Sequence, residues 1–283
     1  MKYIRILISY LQGLLYAFAL HFLRLHRLSP SAASPHVVVT LTSYGRRARA
    51  VLPHTLRSLL RQHTAPDRII VWLDDDHFSA DTLPSALCRL RDRYGVEFRF
   101  CADIRSYKKL VPTLALCPDD LLITVDDDFV YLPTLVSSLL EAHRRHPADV
   151  ICTLAHRPLT DADGRLLPYK RWQMNLTQPY DGPIFPLGGA GTLYPPHSLH
   201  ADVTDAELFT ALAPTADDVW FCFSALAAGT PHRLAGCGRQ FHYVDLAYEY
   251  LHAHSSLKST NVDEGRNDAQ IRAVMEHYHL SGF

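Results

Sequence analysis

Three consecutive aspartates, Asp126 to Asp128, follow the apolar run 121–125. Adjacent carboxylates repel one another strongly unless a cation lies between them. A hard divalent ion such as Mg²⁺ or Mn²⁺ would offset that repulsion and would bridge to phosphate oxygens. The alternative is a solvated acidic turn that caps the following helix. These residue types therefore point either to a divalent-cation site or to a helix cap.

Other polar residues follow the remaining apolar runs. The triplet 74–76 ends the run 69–73, where a carboxylate can accept a base N–H or a ribose hydroxyl, although Asp is also common where a strand meets a loop. Near the end of the first run, Thr42 can hydrogen-bond to a planar ring and Tyr44 can stack on it. Basic residues that can meet phosphate, or be merely solvated, are Arg46, Arg47, Lys108 and Lys109.

Asp217 and Asp218 begin a segment with helical spacing. Acids are favoured at that position by N-capping and by the helix dipole, without any catalytic role. The functional interpretation makes one of them a general base that faces an acceptor hydroxyl. The glycine-rich stretch 188–191 predicts a flexible loop where backbone can approach a ligand. Its spacing matches neither the Walker nor the Rossmann fingerprint.

Alternating strand and helix signals position these residues. Strands are predicted at 36–41, 68–73, 97–101, 121–125 and 150–154. Helices are predicted at 51–62, 83–94, 106–116 (interrupted near Pro112) and 132–143. This alternation is typical of an α/β protein with a parallel sheet covered by helices on both faces. Ligands of such sheets bind outside the carboxyl ends of the strands. The stretch 156–188 is rich in Pro, Gly and Asp, and long loops of this kind are usually functional.

Composition narrows the class of protein. Of the 283 residues 48% are hydrophobic and 20% are charged, which excludes global disorder. The net charge of -1 argues against a nucleic-acid partner. The first 66 residues contain no Asp or Glu and carry +9, whereas the remainder carries -10. This split predicts an anionic partner at the N-terminal end and a cation in the acidic part. None of the six cysteines forms a C-x-x-C pair, so buried free thiols are expected.

Residues 6–23 carry no formal charge and would form about 27 Å of helix, just short of a hydrocarbon core. A polar stripe at helical spacing opposes a face of Leu, Ile, Phe and Ala; it comprises Arg5, Ser9, Gln12, Tyr16 and Arg24. This pattern favours a helix lying on an anionic bilayer, with a spanning anchor and a soluble docking helix as alternatives. The predicted organisation is a membrane-associated helix at 1–28, a linker at 29–35 and one domain at 36–283.

Four motifs occur in order along the chain, at 41–44, at Asp74, at 125–133 and at 216–220. In this order they resemble the GT-A glycosyltransferases, specifically the bacterial family-2-like enzymes of surface-polysaccharide synthesis, which make capsule or lipopolysaccharide. The resemblance implies a Rossmann-like sandwich with a central, mostly parallel sheet. It also implies a nucleotide-sugar-binding half at 36–130 and an acceptor-binding half at 131–283.

The resemblance further implies a role for each matching position. Asp218 would deprotonate the acceptor hydroxyl, or Asp217 would, since it replaces the family's Glu. A C-terminal metal ligand is often present in the family, and of His242, His252 and His254 we take His252. The residues expected at the site are, for the nucleotide-sugar, Thr42, Tyr44, Arg46, Asp74, Lys108, Lys109, Asp126 and Asp127; for metal, Asp126, Asp128 and His252; and for the acceptor, Trp172, Gly189 and Gly191.

The expected activity is an inverting, metal-dependent transfer of sugar from a nucleoside-diphosphate sugar to a saccharide or glycolipid acceptor. The expected cofactor is Mn²⁺ or Mg²⁺, and the expected location is the cytoplasmic face of the inner membrane, peripheral or with a single N-terminal anchor. One alternative is a nucleotidyltransferase, although its Gly-rich loop after the first strand is missing. Another is a Ca²⁺-binding scaffold, although the acids lack the spacing of an EF-hand.

Overall fold

The chain forms an α/β structure, which the computed structural model describes for residues 2–32, 34–244, 265–280 and 283. The α-helices are α1 (Lys2–Ala19), α2 (Gly45–Ala50), α3 (Leu52–Leu59), α4 (Ser85–Tyr94), α5 (Val111–Leu116), α6 (Leu135–Arg145), α7 (Ala206–Leu212), α8 (Asp217–Ala227) and α9 (Arg266–His277). The strands are β1 (Val37–Thr42), β2 (Arg68–Asp74), β3 (Glu97–Cys101), β4 (Leu121–Thr124), β5 (Phe129–Tyr131), β6 (Val150–Cys152), β7 (Ala155–Arg157), β8 (Gln173–Leu176), β9 (Phe185–Pro186), β10 (Thr192–Tyr194), β11 (His232–Leu234) and β12 (Phe241–Tyr243).

Seven of these strands form a central sheet in the order β11-β6-β10-β4-β1-β2-β3. Neighbouring strands are parallel, except that β10 runs antiparallel to both β4 and β6. Thr42 at the end of β1 is level with Trp72 of β2, and Thr40 is level with Thr124 of β4. The carboxyl ends of these three strands therefore meet at one edge, which confirms the predicted mostly parallel GT-A-type sheet.

Helices cover both faces of this sheet because its inner strands are predominantly apolar. Val39 and Leu41 are fully buried in a cluster that includes side chains of α3, α4 and α6. Val38 and Ile70 are fully buried on the other face, with side chains of α8 and α9. Continuous apolar runs are typical of strands buried on both faces. Each fully buried side chain of this kind stabilises the fold by about 1.5–3 kcal/mol.

The structure differs from the sequence prediction in three local features. The predicted helix 106–116 is a 3₁₀ turn, Arg105–Lys109, followed by α5, because a proline such as Pro112 fits only in the first turn of a helix. The predicted helix 51–62 is the shorter α3, and a further short helix, α2, precedes it without having been predicted. The stretch 156–188 contains the small sheet β8-β7-β9, whose strands are too short to show periodicity in the sequence.

The first helix, α1, and the turn after it pack Ser9, Gly13, Ala17 and Leu20 against the domain, whereas Gln12 of the predicted polar stripe is exposed. Ser9 is buried, and its Oγ lies 3.4 Å from the Nδ1 of His242. A Cβ on Gly13 would lie 2.1 Å from the carbonyl oxygen of Tyr243, so glycine permits the close approach to β12. Leu20 is fully buried. Among the described residues, no helix combines the length and the apolar character that crossing a bilayer requires.

The substitution Gly13→Ala tests the docking of α1. Alanine normally stabilises a helix by about 1 kcal/mol relative to glycine. Here the added methyl group would clash with the Tyr243 carbonyl, so we expect the free energy of unfolding to fall by about 1–3 kcal/mol in urea denaturation. The exposed neighbour Gln12 provides the control, since Gln12→Ala should change stability by less than about 0.5 kcal/mol. An increase in stability of Gly13→Ala would contradict the docked helix.

Candidate active site

The acidic triplet follows β4, with β1 on one side and β10 on the other. Its loop is fixed by the buried hydroxyl of Tyr131, which donates to the carbonyl of Gly189 at 2.6 Å and accepts the backbone N–H of Asp126 at 2.8 Å. Burial, and then the charge of Asp126, raise the pKa of Tyr131, so this hydroxyl stays protonated. Hydrogen bonds from the Tyr131 hydroxyl to two backbone groups therefore hold Asp126 at the carboxyl edge of the sheet.

Lys109 joins two acidic segments that are distant in the sequence. Its side chain is 7% exposed, and its Nζ lies 2.6 Å from Oδ1 of Asp126 and 3.1 Å from Oδ2 of Asp217. Burial alone would lower the pKa of this ammonium, but Asp126, Asp217 and Asp218 hold it well above its ordinary value. Lys109 is therefore a permanent cation between the triplet and the N-terminus of α8.

Asp127 and Asp128 contact a second cation, Arg47. The guanidinium lies 3.3 Å from Oδ1 of Asp127 and 3.1 Å from Oδ2 of Asp128. Asp127 is 4% exposed and also accepts the Ser43 hydroxyl, and its backbone carbonyl accepts the hydroxyl of Thr55 at 2.8 Å. Burial raises the pKa of Asp127, and Arg47 and Ser43 oppose that rise. Asp127 therefore anchors the loop to the domain.

Access to solvent distinguishes the other two acids of the triplet. The side chain of Asp126 is 37% exposed and that of Asp128 is 15% exposed, compared with 6% for Asp127. Of the three acids, Asp126 thus has the greatest access to a ligand.

Asp217 and Asp218 occupy the first turn of α8, where the helix dipole favours negative charge. An Oδ1 of Asp218 accepts the backbone N–H of Gly188 at 3.0 Å. Burial, and then the charge of Asp217, nevertheless raise the pKa of Asp218 to about 7. A carboxylate with this pKa exchanges protons readily at neutral pH, which is the property of a general base.

The loop 188–191 separates Asp126 from Asp218. A Cβ on Gly189 would lie 1.8 Å from Oδ2 of Asp126, and one on Gly188 would lie 2.9 Å from Oδ1 of Asp218. Gly191 has φ +106°, and a Cβ there would lie 2.5 Å from Leu135. The sequence predicts that Gly189 and Gly191 contact the acceptor. The structure places Gly189 against Asp126, the most exposed acid of the triplet.

The predicted base and ribose residues lie at the ends of β1 and β2. The hydroxyl of Thr42 donates to the carbonyl of Trp72 at 2.9 Å. Asp74 is 4% exposed and accepts the backbone N–H of His77 at 3.0 Å. Tyr44 is 48% exposed, with the Arg47 guanidinium 5.7 Å from its ring centre. Of these three residues, Tyr44 is therefore the most exposed to solvent.

Three further predicted residues lie apart from this acidic cluster. Arg46 is exposed on α2, and Lys108 forms an ion pair with Asp103. Trp172 is 4% exposed, donates to the carbonyl of Leu167 at 2.8 Å and packs in an aromatic core. His252 lies outside the described residues.

Two residues with clear roles were not singled out in the sequence. Ser43 bonds to Asp127, and Tyr131 fixes the Asp126 loop. Ser43 lies inside the motif 41–44 and Tyr131 inside the motif 125–133. Membership of a motif was therefore the sequence signal that could have identified them. Their types, a hydroxyl and a phenol among apolar neighbours, are those that satisfy buried polar groups.

The donor chemistry of the cluster fits a divalent cation in one respect. The carboxylate oxygens of Asp126 and Asp128 are the hard ligands that Mg²⁺ and Mn²⁺ prefer. In the part of the chain that the structure describes, no three His, Cys, Asp or Glu side chains come close enough to enclose a metal ion. Mg²⁺ commonly binds through one or two carboxylates together with substrate phosphates. The site thus fits a cation that phosphate oxygens would help to hold.

The fold and the matching sequence define the class of the protein. The sequence profile of glycosyl transferase family 2 matches residues 38–182, just over half of the chain. The chain belongs to glycosyl transferase family 2, and the family's enzymes use nucleotide-sugar donors.

The structure is also similar to the crystal structure of S. aureus TarS, residues 1–349, with 14% sequence identity and a TM-score of 0.50. The similarity covers 87% of this chain and 73% of that one. At this identity it shows the shared fold. None of the curated proteins matches the chain significantly.

Lys109→Met tests whether this cation holds the acidic segments together. Removing one partner of a buried ion pair leaves an uncompensated charge, so we expect a loss of about 3–5 kcal/mol of stability in urea denaturation. Lys108→Met is the matched control. Its partner Asp103 is 50% exposed, so water can solvate the carboxylate that is left, and the loss should be smaller. Equal effects of the two substitutions would contradict the central position of Lys109.

Proposed function

We propose that the protein transfers a sugar from a nucleoside-diphosphate sugar to a hydroxyl of a saccharide or lipid-linked acceptor, with inversion at the anomeric carbon. The observation that carries this proposal is the pairing of Asp218, whose pKa is about 7, with the exposed Asp126 across the loop 188–191. Family membership favours sugar transfer over the nucleotidyltransferase and scaffold alternatives. The surface-polysaccharide role is part of the proposal and rests on the resemblance.

The donor would lie along the carboxyl edge of β1, β2 and β4. Tyr44 offers an exposed ring for the base, with Thr42 and Asp74 at the ends of the neighbouring strands. Arg46 is exposed at the start of α2 and can reach phosphate. Asp126 and Asp128 would hold a divalent cation, whose chemistry would be to offset the negative charge of the leaving diphosphate.

Asp218 would accept the proton of the acceptor hydroxyl. The acceptor oxygen then forms a bond to the anomeric carbon, and the bond from that carbon to the diphosphate oxygen breaks. A single displacement of this kind inverts the configuration. Asp217 forms an ion pair with Lys109, and after burial its negative charge is the next cause of the high pKa of Asp218. This division assigns the base to Asp218 and a positioning role to Asp217.

Asp218→Asn tests the base. The amide is isosteric and can still accept the Gly188 N–H, but it cannot take a proton. We expect the transfer rate to fall by at least about 100-fold, with donor affinity retained in calorimetry. The wild-type rate should fall about tenfold per pH unit below pH 7, because only the ionised carboxylate acts as a base.

Stability gives an independent readout of the same substitution. The pKa of Asp218 is raised on folding, so the folded state loses stability as pH rises from the ordinary carboxyl range through 7. Asp218→Asn should therefore raise Tm relative to wild type above pH 7, with the difference shrinking as pH falls. Asp205→Asn, at the N-cap of α7, is the matched control and should leave turnover unchanged. Normal turnover by Asp218→Asn would remove the proposed base.

Removal of metal tests the cofactor. We expect chelation with EDTA to abolish transfer and Mn²⁺ or Mg²⁺ to restore it. Because two carboxylates alone hold the ion weakly, Mn²⁺ followed by electron paramagnetic resonance should bind more tightly when a nucleoside diphosphate is present. Asp126→Asn should weaken that binding, whereas Asp163→Asn, on an exposed turn, should not. Full activity in EDTA would contradict metal dependence.

A further inference from the structure

The outward face of α1 and of the turn after it is apolar. On the inward face Ser9, Gly13, Ala17 and Leu20 are buried against the domain. A contiguous exposed apolar face of this extent is unusual for a protein surface and marks a contact with a partner or a membrane. Its side chains, between 42% and 76% exposed, are Leu7, Ile8, Leu11, Leu14, Leu15, Phe18, Phe22 and Leu23.

A basic groove of about 400 Å³ lies beside the end of this face. His21, which follows α1, lines the groove together with Arg57 of α3 and with Arg89 and Arg93 of α4. Within the described residues, none of these three arginines forms an ion pair with a carboxylate. The acid in the lining, Asp92, is bonded to its neighbour Arg91 at 2.8 Å. The groove therefore has a net positive charge that no carboxylate of the described residues neutralises.

Two further arginines extend the positive charge along the same end of the helix. Arg24 and Arg27 are exposed in the segment after α1. That segment is fixed to the domain, because the N–H of His26 donates to Leu60 at 2.8 Å and that of Leu28 donates to Tyr94 at 2.9 Å. Backbone hydrogen bonds to the domain therefore hold the apolar face and the basic groove next to each other.

We propose that this combined surface binds a bilayer containing anionic phospholipid. The leucines and phenylalanines of α1 would enter the acyl boundary, and the groove lined by Arg57, Arg89 and Arg93 would receive a lipid phosphate. An amphipathic helix with cationic residues beside its apolar face lies in the plane of an anionic interface. The surface does not depend on the transferase assignment, because none of its residues belongs to the candidate active site.

A second copy of the chain is a poorer occupant of this surface. The first 66 residues contain no Asp or Glu, so a symmetric contact through α1 would bring more basic residues toward the arginines and no carboxylate from this segment. An anionic bilayer satisfies both requirements at once, since it offers acyl chains to the apolar face and phosphates to the groove.

The test is sedimentation of the full chain with vesicles. Wild-type protein should bind vesicles of phosphatidylcholine mixed with phosphatidylglycerol and should bind pure phosphatidylcholine far more weakly. Arg89→Gln with Arg93→Gln should weaken binding to the anionic vesicles by about 30-fold, on the basis of about 1 kcal/mol per basic residue. Leu15→Ser with Phe18→Ser should weaken it on the order of 100-fold.

Matched controls carry the same changes elsewhere on the surface. Leu116→Ser removes an apolar side chain that is 37% exposed on α5, and Arg165→Gln removes an arginine that is 80% exposed. Both should bind vesicles like wild type. Phe18→Trp gives a second measurement on a nearly unchanged surface, and its fluorescence should shift to the blue only with anionic vesicles.

Three results would overturn the proposal. The first is equal binding of wild type to neutral and anionic vesicles. The second is unchanged binding by both double variants. The third is a dimer of the wild type that Leu15→Ser with Phe18→Ser converts to a monomer while vesicle binding is absent, which would assign the face to a second copy. Failure of sugar transfer would leave the vesicle result intact, so the two proposals fail separately.

Discussion

The position of the Lys109 ammonium is the constraint on which the site depends. Acids from the end of β4 and the start of α8 converge there, and without a cation their charges would repel. The lysine can reach this place because the carbonyl of Lys109 accepts the Thr40 hydroxyl of β1 at 2.7 Å. The same turn is held from the other side by Tyr107, whose hydroxyl donates to Ala213 at 2.5 Å. Sheet, turn and helix are thus arranged around one charge.

This arrangement gives the neighbouring acids different properties. Asp126 and Asp217 each contact Lys109 directly, so their charge is offset in place. Asp218 is one residue further along α8 and forms no ion pair within the described residues, so burial and the field of Asp217 dominate its pKa. Asp217 and Asp218 are equivalent candidates in the sequence. In the structure Asp217 forms an ion pair with Lys109, whereas Asp218 titrates near neutral pH.

Features that follow from the periodicity of the sequence were predicted correctly. Features that depend on contacts between distant residues were not. Apolar runs such as 121–125, followed by acids, place the triplet at the carboxyl edge, because parallel strands align their ends. The antiparallel insertion of β10 and the opposite partners of Lys108 and Lys109 have no local signal. Adjacent lysines have the same chemistry and are both buried, and only the turn geometry gives them different partners. Trp172 likewise occupies the core because distant aromatic residues surround it.

The division of charge along the chain has a different meaning in three dimensions. Arg47 belongs to the basic first 66 residues but neutralises acids of the candidate active site, whereas Arg89 and Arg93 belong to the acidic remainder but line the basic groove. The helix α1 and the acidic triplet are linked through β12 and the residue after it, since α1 packs on Tyr243 and the N–H of Val244 donates to the carbonyl of Asp128 at 3.2 Å. The strand that supports the proposed membrane-binding helix thus also supports the acidic triplet. If the proposed membrane contact forms, a bilayer on α1 would therefore lie at a fixed position relative to the acids.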